Sequence, residues 1–448
     1  MTVPGDEVVE LLVALVRNAC VNDGTPDAGQ ERRSVETIAD YLGARGREFE
    51  PHPGRVSTLY RVEGTDPEAP SLMLMGHTDV VPVSPDGWSV DPFEGIRSDG
   101  FVWGRGTVDM LNQTAAMAAV FKRYLDGEVA PPAGDLLFFA VADEEASGTF
   151  GAHWIVEHHW EEVACDYLLT EIGAPALTGG AGPGIPVTVA EKGPHWRRLR
   201  ASGTPGHGSQ PYRADNALLP LARAITRLDE HQPPVAITDV WRRFVAAWGP
   251  PRALAEALVD PDRVDAAIDE LALDDPGFAR WVHACTHMTI SPNTLEAGVK
   301  ANVVPDRAVA ELDVRTVPGQ DADSVHDHFR KAIGPGFDDD LDLDPIESTP
   351  ASESPTDGPL WEAMETAIDR VAPGARLLPT LIPVATDARF FRPRGTVCYG
   401  LGLHDDRLGF GEFLSMFHGH DERVSERSVG LTARLYAAIV DDFSRSAG

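Results

Sequence analysis

The sequence predicts an α/β fold that carries a second, smaller antiparallel α+β domain. Three observations support this. Apolar runs of strand length alternate with helical periodicity up to about Glu191, and again after residue 351. Between them, from about Lys192, strand-like and helical stretches follow in the order strand, helix, strands, helix, strand. Several elements of the first region also end in, or start from, histidine or acid: His77 after Leu72–Met75, Asp109 before a helix, Asp143-Glu144-Glu145 after a second apolar strand, and Glu171 after a third.

The elements can be justified in order. Val8, Leu11, Leu12, Leu15 and Val16 share one helix face within residues 6–20, and Val35, Ile38 and Leu42 share another within 31–45. Residues 56–61 and 72–75 read as strands. A helix from about Leu111 to Tyr124 holds Ala115, Ala116, Ala118 and Ala119, which are small enough to let it pack close to a sheet. Residues 135–141 and 167–171 are further strands. In the smaller domain, residues 196–201, 288–290, 309–314 and 341–343 are strand-like, and 216–228 and 324–331 are helical. Residues 230–285 read as largely helical, with no recognisable chemistry from Val264 to Leu273. A linker rich in Ser, Pro and Gly spans Ser352 to Pro359. It is followed by a helix to Val371, a loop from Pro379 to Asp387, a strand at 397–400 and a terminal helix from about Glu426 to Ile439.

A chain of 448 residues has room for two or three domains, or for one large and one small. Its formal net charge of -32 argues against non-specific binding to nucleic acid or to anionic membranes. No apolar run reaches the length of a membrane span, and the acidic N-terminal residues do not resemble a signal peptide. Cys20, Cys165, Cys285 and Cys398 are scattered, which suits free thiols in a reducing compartment. The expected location is the cytoplasm.

The chemistry is concentrated at the ends of these elements. His77 and Asp79 are two residues apart, so on an extended backbone they point the same way. His77 could bind an ion while Asp79 holds its other ring nitrogen, both could bind, or the two could form a buried pair with no ion. Asp109 sits where free N–H groups at a helix start favour a carboxylate. The loop Gly104-Arg105-Gly106 has the wrong spacing for a dinucleotide fingerprint, and Asp109 would oppose a phosphate. Asp143, Glu144 and Glu145 repel one another unless positive charge lies among them, although a surface loop could also carry them. Open α/β sheets place their sites at the C-terminal ends of strands, so these groups are expected to converge on metal. Phe417-His418-Gly419-His420 adds two histidines near the C-terminus.

His77-Thr78-Asp79, Gly104-Arg105-Gly106 with Asp109-Met110, Asp143-Glu144-Glu145, and His418-Gly419 with Glu422 occur together in this order. In this the sequence resembles the zinc-dependent aminoacylase, carboxypeptidase and deacylase family, over most of the chain from His77 to His418. The resemblance implies a mixed-sheet α/β catalytic domain of a dinuclear metallohydrolase, in two segments (1–192 and 351–448), with an inserted α+β lid and dimerisation domain (193–350). It implies that Asp109 bridges two divalent ions, that His77 and Glu171 complete one site, and that Glu145 and His418 complete the other. It makes Asp79 the partner of His77, Glu144 the general base, and the Asp109-Met110 peptide bond cis. His207, in Gly206-His207-Gly208-Ser209, matches a histidine that reaches the partner's site in a homodimer. Asn302 and Arg315 match substrate-side residues, and Arg389 is a further substrate candidate, with an ion pair to Asp387 or a neighbour as its structural alternative.

Two histidines and three carboxylates suit zinc, with cobalt or manganese able to substitute. The expected reaction is hydrolysis of an amide or peptide bond beside a free carboxylate, in a dipeptide or N-acyl amino acid, by a water that the ions polarise. The alternatives are an N-carbamoyl or N-succinyl amino acid amidohydrolase, and a non-catalytic dimeric metal-binding interaction protein. Leu111 and Asn112 depart from the family pattern beside Asp109-Met110. The segment from His231 to Ala284 makes the smaller domain longer than in minimal members, and could cover the site, extend a dimer contact, or do neither.

Overall fold

In the strand Leu72–His77 every residue is buried, and its side chains alternate between two cores. Leu72 and Leu74 face one core, Met73 and Met75 the other. A strand covered on both faces is the parallel-sheet pattern, and the computed structural model, which describes residues 3, 5–180 and 182–446, shows that arrangement. Leu72–His77 lies between Leu136–Val141 and Tyr167–Thr170, parallel to both, and Val397–Gly400 continues the parallel set. The hairpin Arg47–His52 and Arg55–Val62 adds an antiparallel edge beyond Leu136–Val141. On the far side Gly182–Glu191 runs antiparallel to Val397–Gly400 and parallel to Arg376–Ile382. The sheet is therefore mixed, and the C-terminal ends of its four parallel strands share one edge.

Helices cover both faces. Leu111–Leu125 packs on one of them, and its four alanines are buried. A Cβ at Gly76 would stand 2.4 Å from Thr114 Oγ1, so only glycine allows this approach. In return, Thr114 Oγ1 donates to the carbonyl of His77 at 2.9 Å. The opposite face is covered by Ala152–His158 and Ala388–Phe391.

The smaller domain is a five-stranded antiparallel sheet around Arg307–Thr316, with Leu218–Glu230 and Ala322–Ile333 closing a separate core of Leu199, Leu221, Leu312, Val314 and Phe329. The helices between them in sequence do not join that core. Asp239–Trp248 and Pro276–Thr286 bury Trp241, Phe244, Phe278 and Trp281 in the main core instead. Trp281 lies 5.1 Å from Phe244 and 5.8 Å from Phe410, ring to ring, and Phe278 lies 5.8 Å from Phe410. Lys192, fully buried where the chain enters the smaller domain, donates to the carbonyl of His287 at 2.8 Å and to Thr289 Oγ1 at 3.0 Å. Burial lowers its pKa to about 7.

Several strands go beyond the sequence expectation, among them Arg47–His52 and the full length of Thr289–Ala297, and two of them bear on how the main sheet is built. The expected loop from Pro379 is strand as far as Ile382, and Gly182–Glu191 was not anticipated. Both contain proline, which reads as a breaker. Arg376–Ile382 pairs on one side only, and such an edge position tolerates Pro379 without a missing ladder bond.

The aromatic cluster generates a stability prediction. Trp241 is 1% exposed and donates its indole N–H to the carbonyl of Leu258 at 2.8 Å. Trp241→Ala should cost roughly 3–5 kcal/mol, the usual range for emptying a large aromatic site. A thermal unfolding scan should show a clearly lower Tm; an unchanged Tm would mean that these helices are not part of the main core.

Candidate active site

His77 ends its strand with the ring fully buried. Its Nδ1 lies 2.9 Å from the carbonyl of Asp79, which can only accept, so Nδ1 carries a proton and Nε2 is the nitrogen turned toward Asp109. The sequence expectation gave the ring to Asp79, and the main chain of that residue does the holding: its carboxylate is further off, at 3.7 Å. That carboxylate is drawn elsewhere, accepting from Asn22 Nδ2 at 2.8 Å and from the backbone N–H groups of Glu144 and Glu145 at 3.2 and 3.1 Å.

Asp109 precedes the helix Leu111–Leu125, and the Asp109–Met110 bond is cis. Its two oxygens face two histidines: Oδ1 is 3.2 Å from His77 Nε2, and Oδ2 is 3.3 Å from His418 Nε2. The loop before it is held by Glu422, which is fully buried. The Glu422 carboxylate accepts from Gly106 N at 3.1 Å, Val108 N at 2.7 Å, Asp109 N at 3.2 Å and Arg105 Nη1 at 2.7 Å. Arg105 also donates to the carbonyl of His418 at 3.2 Å. Glu422 thus joins the Asp109 loop to the His418 loop. The sequence showed it only as part of a motif, because its partners, three backbone N–H groups and the Arg105 side chain, are more than 300 residues away.

Glu144 and Glu145 follow Leu136–Val141 in a single 3-10 turn. Asp143, just before them, accepts from Phe150 N at 2.6 Å and from Asn22 Nδ2 at 3.0 Å, and pairs with the fully buried Arg55. Arg55 also pairs with Glu31 at 2.9 Å. Asn22, Glu31 and Arg55 were not singled out from the sequence, since a polar residue near the N-terminus looks the same whether it is solvated or buried. Glu171 follows Tyr167–Thr170, with Oε2 3.8 Å from His77 Nε2. His418 Nε2 is 3.2 Å from Glu145 Oε2. Asp143, Ser147, Ile172 and His418 all have left-handed backbone, with φ between 57° and 69°. Non-glycine residues held this way cluster at functional sites, where surrounding contacts over-determine them.

The electrostatics are those of acids crowded together. Burial raises the pKa of Glu144, with Glu171 adding to it, and burial raises that of Glu171. Glu145 is pushed up to about 7 by burial and by Asp109, against the pull of His418. For Asp109 burial acts in the same direction, but hydrogen bonds from His418 and His77 prevail and hold its carboxyl well below the usual range. His418 is raised to about 10 by Asp109 and Glu145. Asp387, buried with both oxygens lacking a hydrogen-bond partner, is raised to about 7 by burial.

The donor set fits divalent metal. Ligand atoms of His77, Asp109 and Glu145 lie within 4.8 Å of one another, as do those of His77, Glu144 and Glu171. Glu145 Oε1 is buried without a hydrogen-bond partner, an orphan that a cation would satisfy. Imidazole and carboxylate donors around a shared Asp are the arrangement of a dinuclear centre.

A cavity of about 680 Å³ opens onto this cluster. Arg315 and Arg389 line it. Arg315 is forked onto Asp313 at 3.0–3.2 Å, and Arg389 faces Glu347 at 3.6 Å rather than Asp387. The structure does not bring His207 or Asn302 to the cavity lining. Both are exposed on the smaller domain, where Gly206–His207 pairs with Val303–Val304 and Gly208 N donates to the carbonyl of Asn302.

Glu422 supplies a test. Glu422→Gln leaves Arg105 buried without a counter-charge, a change worth about 3–5 kcal/mol in other buried pairs. We expect a lower Tm together with bound metal below that of the parent chain, read by calorimetry and elemental analysis. Parental values for both would show that the two loops are held some other way.

The profile of peptidase family M20/M25/M40 matches residues 73–442. Aminoacylase-1 of Sus scrofa is 28% identical over 426 residues, covering 92% of this chain and 91% of the relative. The N-fatty-acyl-amino acid synthase/hydrolase PM20D1 of Xenopus tropicalis is 28% identical, covering 87% of this chain and 75% of the relative. Among solved structures, the M20 family metallo-carboxypeptidase Sso-CP2 from Sulfolobus solfataricus superposes with a TM-score of 0.73 at 17% identity, covering 98% of this chain and all of that one. Human carnosine dipeptidase 1 superposes with a TM-score of 0.71 at 18% identity, covering 98% of this chain and 96% of that one. With a matching profile over most of its length, a two-domain fold shared with these structures and acids and histidines gathered as a dinuclear centre requires, the chain belongs to peptidase family M20/M25/M40.

Proposed function

We propose that this protein hydrolyses an amide or peptide bond beside a free carboxylate, in an N-acyl amino acid or a dipeptide. The observation that carries the reading is Asp109 set between His77 and His418, with Glu145 and Glu171 completing the two sides. The aminoacylase and dipeptidase relatives point to the same substrates. Asp109, His77 and Glu171 would hold one divalent ion, and Asp109, Glu145 and His418 the other. Zinc is the first choice for these ligands, and cobalt or manganese could replace it. When bound, such ions polarise an amide carbonyl and acidify a water.

The remaining work falls to the chain's own groups. Glu144 takes a proton from the attacking water and delivers it to the leaving nitrogen. The backbone N–H of Glu144, anchored on Asp79, keeps that carboxylate in place. Arg315 and Arg389 are the substrate-side residues at the cavity. We further propose a homodimer, in which His207 and Asn302 of one subunit approach the cavity of the other and His207 donates to the oxyanion. Their exposure side by side, where Gly206–His207 pairs with Val303–Val304, supports this. Four free, buried cysteines support a reducing, cytoplasmic setting, and among the described residues no helix is long and apolar enough to cross a membrane.

Metal analysis of the replete protein should find about two divalent ions per chain, as a two-metal site requires. Chelation should abolish turnover, and zinc, cobalt or manganese should restore it. The substrate panel is N-acyl, N-carbamoyl and N-succinyl amino acids with dipeptides; inactivity on all of it would favour a non-catalytic metal-binding protein. Glu144→Gln should abolish turnover at near-parental metal content. Since Glu144 also stands close to His77 and Glu171, loss of metal in that variant would make it a ligand instead. Mixed dimers of His207→Ala and Glu144→Gln chains should regain part of the activity, and no recovery in verified mixed dimers would remove His207 from the mechanism.

A further inference from the structure

We infer that Arg280, carried by the helix Pro276–Thr286, is a further carboxylate-binding residue of the cavity beside Arg315 and Arg389, with Trp281 as the apolar wall next to it. The inference rests on the hydrolase reading above and assigns a role to part of the segment from His231 to Ala284, which the sequence leaves without one. Gly277, Arg280, Trp281 and Ala284 follow the i, i+3, i+4, i+7 spacing of one helix face. All four line the cavity that also contains Asp109 and Glu144. Phe278, Val282 and Cys285 of the same helix are buried in the main core. The Asp275 carboxylate caps the helix by accepting from Phe278 N at 2.9 Å. The backbone that presents Arg280 is therefore fixed from behind.

Charge separates Arg280 from the other two guanidinium groups at the cavity. Arg315 is already forked onto Asp313. Arg389 faces Glu347 and lies over the Phe390 ring, 4.7 Å from its centre. Arg280 is exposed, and among the described residues it has no ion-pair or side-chain hydrogen-bond partner. All five of its N–H donors are available, in a chain whose acids outnumber its bases by 70 to 38. A planar carboxylate is the partner that a free guanidinium fork fits best, because two parallel hydrogen bonds form at once. Small residues on either side, Gly277 and Ala284, leave space along the helix for that group. The carboxylate could be the one beside the scissile bond, or one at the far end of the acyl group; the chemistry read by Arg280 is the same.

The test uses the full-length, metal-loaded protein and its Arg280→Gln and Arg280→Lys variants. Three substrates separate the sources: N-butyryl-L-methionine, N-butyryl-L-methioninamide and N-succinyl-L-methioninamide. A charge-assisted hydrogen bond lost from the bound state corresponds to about 10- to 100-fold in binding. Arg280→Gln should therefore raise KM at least about tenfold on the substrate whose carboxylate it reads, with a much smaller change in kcat. The preference for that substrate over its uncharged counterpart should fall by the same factor, and Arg280→Lys should recover part of it. A rise confined to N-butyryl-L-methionine assigns the carboxylate beside the scissile bond, and one confined to N-succinyl-L-methioninamide assigns the distal one. Unchanged KM on all three with turnover intact would overturn the role of Arg280 and leave the hydrolase reading standing. A parent chain inactive on these and on the wider panel would overturn both.

Discussion

Four carboxylates, Asp109, Glu144, Glu145 and Glu171, share one sheltered hollow, and their mutual repulsion is the constraint that the surrounding structure has to contain. The chain contains it with positive and dipolar groups placed just outside. Two histidines divide the oxygens of Asp109 between them. Asp79 and Glu422 lie behind, and each gathers backbone N–H groups from the loops that carry the acids. Behind those again stand the buried cations Arg55 and Arg105. Dipoles and charges of both signs therefore surround the hollow and hold each acid in position.

The fold serves this arrangement. A parallel sheet brings His77, Glu144, Glu145 and Glu171 to a single edge, because strands that run the same way end on the same side. Left-handed backbone at Asp143, Ile172 and His418 then turns the chain sharply at the points where it would otherwise carry on past the site. The aromatic cluster around Phe278, Trp281 and Phe410 does similar work at longer range, bracing the helix Phe410–Met416 just ahead of His418.

Much of this was legible from residue spacing. The strand ends at His77 and Glu171, the alanine-lined helix after Asp109 and the separate smaller sheet all follow from local periodicity. What escaped was non-local. Asn22, Arg55 and Glu422 act through partners tens to hundreds of residues away, and nothing in their own neighbourhood marks them as buried. The helical segment gave a clear local signal, but the sequence could not say which core it would join; four large aromatic residues at helical spacing fit either. Arg376–Ile382 was obscured by Pro379, which an edge strand accepts and a pattern rule does not.

The tie made by Glu422 also bears on the order in which the site comes into being. Asp109 is oriented by a residue more than 300 positions later, and His418 lies in that same late stretch. Emerging from the ribosome, the chain would present the His77 strand and its acidic neighbours long before the groups that separate and orient them. Until that late stretch is made, Asp109 lacks the contacts with Glu422 and His418 that orient it. The full set of donors, His418 included, is in this way assembled only on a nearly finished chain, with the smaller domain already made.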